Sequence, residues 1–175
     1  MKSKWVKEVT ERRQTTASRK FIVMENNKKQ VSKGVPDFDQ VIQKVHLALR
    51  EFTKGNPEPM KLMFSHREDV TLANPFGPPK RGWKQVSEIM DRAAAVLRDG
   101  DIPDFDIIAK YVTPDLAFVV EIEWQRAKIG GSQDISPAPL RVTMIFRPED
   151  GTWKILHRHA DPITSARPAE SIIQK

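Results

Sequence analysis

Cysteine is missing from all 175 residues, which excludes a disulfide scaffold, a thiol nucleophile, a zinc finger and an iron–sulfur site. Tyrosine is scarce too, with Tyr111 alone. No apolar run approaches the roughly 20 residues that a membrane helix requires. The basic N-terminus lacks the apolar stretch of about 7 or more residues that a secretory signal carries. Ser18-Arg19-Lys20-Phe21 faintly resembles a twin-arginine export motif, but the polar residues 25–29 behind it supply no apolar segment to match. A cytoplasmic location is therefore the expectation. G-x-G-x-x-G, G-x-x-x-x-G-K-[ST] and G-x-S-x-G are all absent, so no nucleotide cofactor and no serine-hydrolase chemistry are expected.

What is present is charge, and it is unevenly placed. The formal net charge is +6. Residues 1–34 hold ten Lys/Arg against three Asp/Glu, a balance of +7, and the remainder of the chain balances at −1. The excess is a basic tail rather than a domain-wide nucleic-acid footprint. Aromatic residues are not interleaved with Lys/Arg as a single-strand platform requires, so nucleic acid is not an expected partner. The tail's polar composition reads as flexible, and Met24 is an alternative start. The expected organisation is a tail over 1–34 and one domain over 35–175.

From Pro36 the pattern is regular. Asp37 with Gln40 gives a capping-box signal, and Phe38, Val41, Ile42, Val45, Leu49 and Phe52 follow at helical spacing up to Gly55. Asn56-Pro57 restarts a short helix with Met60, Met63 and Phe64. Residues 70–73 read as a strand, and a third helix is expected over 83–99. Four β-like segments follow at 105–112, 116–128, 140–147 and 152–160. The order α-α-β-α-β-β-β-β, with helices first and antiparallel strands later, gives an α+β class. In the long strand, Phe118, Val120, Ile122 and Trp124 share one face while Val119, Glu121 and Glu123 share the other.

This element order, with Asn-Pro-Phe-Gly after the first strand and His-Arg-His ending the last, resembles the SnoaL-like branch of the nuclear transport factor 2-like (ketosteroid isomerase-like) superfamily. The resemblance covers roughly residues 37–162, most specifically 69–83 and 141–161. It implies a cone-shaped fold, N-terminal helices packed on a strongly curved antiparallel sheet, with a pocket open at one end. It also implies a second subunit over the outer face of the sheet. In ketosteroid isomerases an Asp-Pro turn after the first strand supplies the base, but Asn74-Pro75 stands here and an amide cannot take up that proton. The oxyanion-hole acid falls near Arg141 and the isomerase tyrosine near Ala48, so the isomerase machinery is not reproduced.

Other candidates remain. His157 and His159 alternate on one strand, so both face the same way; with Trp153 and Ile155 they form the W-x-I-x-H-x-H face that the resemblance points into the cone. They could serve as acid and base, bind a ligand, or make structural hydrogen bonds. A metal would need Glu121 or Glu123 as third ligand, which is not a clear set, so none is expected. Arg141 and Thr143 share a neighbouring face, where Arg141 either anchors a ligand anion or pairs with Glu121, Glu123 or Asp161. Asp161 either orients a histidine as part of a catalytic set or caps the turn into Pro162. Trp83 is core or pocket wall, and Asn74 holds its turn or contacts a ligand.

The leading expectation is a protein that binds a small, partly apolar organic ligand, with His157, His159 and Asp161 as catalytic candidates. Asn74, Trp83, Glu121, Glu123, Arg141 and Thr143 are the ligand contacts. Cyclisation, dehydration or isomerisation without a cofactor is the matching chemistry. The alternatives are a non-catalytic dimerisation or ligand-sensing module, and an adaptor whose tail binds an acidic partner. A homodimer through the apolar sheet face is expected in either of the first two cases.

Overall fold

A computed structural model describes residues 37–173. The expectations for the tail and for Met24 lie outside the described residues. Helix α1 (Phe38–Phe52) starts where Asp37 accepts the Asp39 backbone N–H at 3.2 Å, and it buries Phe38, Val41, Ile42, Val45 and Leu49 as the spacing predicts. Gly55, at φ +94°, lets the chain turn sharply after it. Helix α2 (Glu58–Met63) follows Pro57 and buries Met60. Strands β1 (Thr71–Ala73) and β2 (Lys80–Arg81) flank the Pro-rich loop, and α3 (Trp83–Ala95) buries Val86, Ile89, Met90, Ala93 and Ala94.

The third helix is shorter than expected. It ends at Ala95, and β3 (Leu97–Asp101) takes over the residues assigned to its last turn. The reason is local: Asp99 adopts φ +52°, and the Gly100 N–H donates to Thr53 O at 3.1 Å, drawing this stretch onto the end of α1. β4 (Phe105–Val112) matches its expected bounds. The long strand divides into β5 (Ala117–Glu123) and β6 (Arg126–Ile129). The break is fixed by the Trp124 N–H bond to Asp104 O and by the tight return of Gln125 N–H to Glu123 O. β7 (Ser136–Pro137), β8 (Leu140–Glu149) and β9 (Thr152–Asp161) complete the strands, and a 3-10 turn spans Ala169–Ile172.

Six strands form one sheet in the order β2-β1-β9-β8-β5-β4, and β3-β6-β7 form a second. The large sheet is mixed rather than wholly antiparallel, because β1 runs parallel to β9. Its β4, β5, β8 and β9 pair antiparallel, and two bulges bend it. Ile108 is the extra residue between Ile107↔Glu121 and Ala109↔Val120, and Leu156 the extra one between His157↔Ile145 and Ile155↔Phe146. The core lies between the helices and the concave face, where the Phe38 ring meets Phe146 edge-on at 5.0 Å and Trp153 at 5.4 Å. This is the α+β class that the residue pattern predicts, in the curved-sheet cone that the resemblance implies. Among the described residues no helix is long and apolar enough to cross a membrane.

Gly100 is the tightest backbone approach in this packing. A methyl group there would lie 2.3 Å from Thr53 O and 2.6 Å from Thr53 Cβ. Gly100→Ala is therefore expected to destabilise the domain by roughly 1–3 kcal/mol, read by thermal unfolding. An unchanged midpoint would show that β3 is free to shift away from α1.

Candidate functional site

A cavity of about 200 Å3 opens inside the cone. Its wall is largely apolar, with Leu49 and Phe52 from α1, Met60 from α2, Met90 and Ala93 from α3, and Leu140 from β8. Its exposed lining residues are Pro75, Phe76 and Pro162. An apolar cavity of roughly 150 Å3 accommodates benzene, so this one fits a molecule of about one substituted ring. It falls below the roughly 300 Å3 of a drug-sized site.

One ion pair is built into the wall. Glu123 is 1% exposed, and Arg158 donates through Nη2 to both of its carboxylate oxygens at 2.8 Å. Burial pushes the Glu123 carboxyl above its ordinary range; the Arg158 guanidinium pulls it back, and neighbouring Glu121 pushes it further up. Glu121, two residues back on the same face, is fully buried and accepts His46 Nε2 at 2.9 Å. The His46 ring stacks on Phe105 at 3.7 Å. Asn74, after β1, accepts the Phe76 backbone N–H at 3.0 Å through Oδ1. Its Nδ2, like Arg158 Nε and Glu121 Oε1, is buried without a protein partner among the described residues.

Of the residues singled out from sequence, Asn74 and Glu123 line the cavity, and Glu121 is buried beside Glu123 on the same strand face. The expectation that His157 and His159 face the cone does not hold. Trp153 and Ile155 do point inward, but the bulge at Leu156 reverses the parity, so Arg158 and Ala160 continue the buried face. His157 and His159 emerge on the convex side instead. His157 Nδ1 meets Thr71 Oγ1 at 2.7 Å, and burial, with His159 adding to it, holds its imidazole below the ordinary range. His159 is 55% exposed, with Nε2 3.8 Å from Asp161.

Arg141 and Thr143 lie on that convex side too. Arg141 donates Nε and Nη2 to Asp161 Oδ2 at 3.1 and 2.8 Å, and Asp161 Oδ1 accepts the Ile163 backbone N–H at 2.8 Å. Asp161 therefore holds the turn through Pro162 and an ion pair, outside the cavity. Thr143 sits between Val120 and His159 in register. Trp83 is half-buried at the start of α3, stacked on His66 at 3.8 Å, and is absent from the cavity wall. Arg158, Gln125 and His46 were not singled out. The adjacent apolar pair Ile155-Leu156 is the one signal in the sequence that alternation fails there.

The family model for the SnoaL-like domain matches residues 35–164. The chain belongs to the SnoaL-like family. No curated protein matches it. Solved structures share the fold at low identity. A nuclear transport factor 2-like superfamily protein from Salmonella enterica is 17% identical with a TM-score of 0.60, over 77% of this chain and 99% of that one. A ketosteroid isomerase-like protein from Erwinia carotovora is 15% identical with a TM-score of 0.58, over 73% and 94%. A proposed calcium/calmodulin-dependent protein kinase type II association domain from Thiobacillus denitrificans is 14% identical with a TM-score of 0.58, over 73% and 96%. In this SnoaL-like chain Asn74 stands in the cavity wall and holds an Asx turn through its bond with the Phe76 N–H.

The buried pair makes a pH-dependent prediction. Glu123 ionises near 4.5 in the unfolded chain and only at higher pH in the folded one, so the folded chain binds more protons just above pH 4.5. Stability from this group falls as pH rises through that window. Arg158→Met removes the cation that opposes the shift and strands the carboxylate. Its cost is expected to be about 3–5 kcal/mol at pH 8 and clearly smaller at pH 5, measured by denaturant unfolding. Equal losses at both pH values would show that Glu123 is not the group left unpaired.

Proposed function

We propose that this SnoaL-like protein holds a small, partly apolar organic molecule inside the cone. The observation that carries this reading is an apolar cavity of about 200 Å3 with a buried Glu123–Arg158 pair in its wall. Ionic groups are costly to bury, and replacing such a pair by apolar residues is often neutral or stabilising. A chain that needed only a packed core would gain little from it. Glu123 is the wall's carboxyl, and its raised pKa brings its protonated form closer to neutral pH, the requirement for an acid–base role. Proton transfer without a cofactor is the chemistry consistent with that wall. The reading predicts that purified protein carries a bound small molecule visible by native mass spectrometry. Ala93→Phe, which fills the cavity from α3, should empty it while the fold persists. Wild-type protein free of any adduct, or an adduct retained by Ala93→Phe, would count against the site.

The convex face supports a second, compatible proposal, a homodimer packed through the sheet. Tyr111, Phe118, Ile145 and His157 align across β4, β5, β8 and β9, and Ala109, Val120, Thr143 and His159 form the next row. Tyr111 is 56% exposed and stacks on Phe118 at 5.8 Å. The following row is not bare: Ile122 and Arg141 share a surface groove with residues 163–169 of the C-terminal segment. The first two rows are what a second copy would cover, and a fold neighbour described as an association domain is consistent with such use. Light scattering at micromolar concentration is expected to give a dimer for the wild type and a monomer for Phe118→Arg. A wild-type monomer would end this proposal.

A further inference from the structure

The mouth of the cavity has two unlike lips. Strands β1 and β9 run parallel, with Ala73 opposite His159, so the chain leaves both at the same end of the sheet. Those two exits supply Pro75, Phe76 and Pro162, the exposed residues of the cavity wall. The Pro162 lip is pinned. Its carbonyl accepts Arg167 Nη2 at 3.1 Å, and Asp161 before it is held by Arg141 and by the Ile163 N–H. The opposite lip has fewer means of attachment. Pro75, Pro78 and Pro79 have no N–H to donate, and a methyl group at Gly77 would meet nothing within 4 Å. Its tether is at the base, where the Phe76 N–H donates to Asn74 Oδ1 at 3.0 Å and Leu72 pairs with Lys80. Phe76 is 55% exposed and also lines the cavity, so this one residue touches solvent and cavity at once.

We infer that residues 74–79 form a lid over the cavity and that Phe76 is the side chain that closes it; this rests on the ligand-binding reading. The prolines stiffen the loop, so its movement is taken up at its two ends and at Gly77. Closure sets an aromatic ring across the mouth of an apolar chamber, and opening costs the contacts of that ring. A lid governs how fast a molecule enters and leaves, whereas a fixed wall residue governs how tightly it is held. The two roles therefore separate in the kinetics.

Magnetisation-exchange NMR of the full chain with isopropylbenzene, an apolar ring-sized probe, yields both the association and the dissociation rate. Phe76→Ala is expected to raise both by about tenfold or more while changing Kd far less. Gly77→Ala adds a methyl group where there is space and narrows the conformations open to the raised loop. It should slow both rates about two- to fivefold. If Phe76→Ala speeds dissociation alone and weakens Kd to match, Phe76 is a wall contact, and the lid is overturned while the cavity reading stands. Rates left unchanged by both variants would have the same consequence. Isopropylbenzene that does not bind the wild type, or that binds Ala93→Phe equally well, would overturn the cavity reading and the lid with it.

Discussion

The contact between Glu123 and Arg158 ties together two strands that are not neighbours in the sheet. The two residues stand on β5 and β9, with β8 between them. In a flat sheet, strands two apart are separated by roughly 9–10 Å. Their side chains meet at 2.8 Å because the long guanidinium arm reaches inward across a concave surface. Curvature and ion pair are thus coupled: flattening the sheet would pull the partners apart and leave two buried charges unmatched. Bulges at Ile108 and Leu156 bend the strands, and the helices fill the concavity that results. The polar end of the cavity is a by-product of how tightly the sheet is wound.

Much of this was legible from the residues. The inward row Val119, Glu121 and Glu123 follows from simple alternation, and the structure buries all three. The α1 face and the ordering of the main elements follow from 3.6-residue periodicity and its loss after Gly100. Trp124 lies one residue beyond β5 rather than in the strand, and its indole donates at 2.8 Å to Asp106, which stands opposite Ile122 of the outward row. A single inserted residue had the largest effect. Leu156 moves the next side chains by one step of the pleat, exchanging a pair of histidines for one arginine inside the cone. Composition records that both kinds of residue are present on β9 but not which face each takes. The short strands β2, β7 and β3 were invisible for a different reason: they are set by partners distant in sequence rather than by their own pattern.

The second polar contact of the interior has a different character. His46 reaches Glu121 from α1 and is itself clamped flat against Phe105, which Arg50 overlies at 5.2 Å from the ring centroid. This cluster ties the first helix to the middle of the sheet through a polar bond enclosed by an aromatic face. Glu121 therefore anchors α1 while Glu123, two residues on, serves the cavity. The two acids share a strand face but answer to different parts of the molecule.

Strand β4 is an edge of the large sheet, and its far side offers backbone groups to any passing strand. The bulge at Ile108 interrupts that template in mid-strand, and Lys110, tied to Asp39 on α1, places a charged side chain two residues on. A chain approaching this edge meets a kinked, charged border rather than a flat one. The irregularity that helps to curve the cone therefore also discourages edge-to-edge polymerisation.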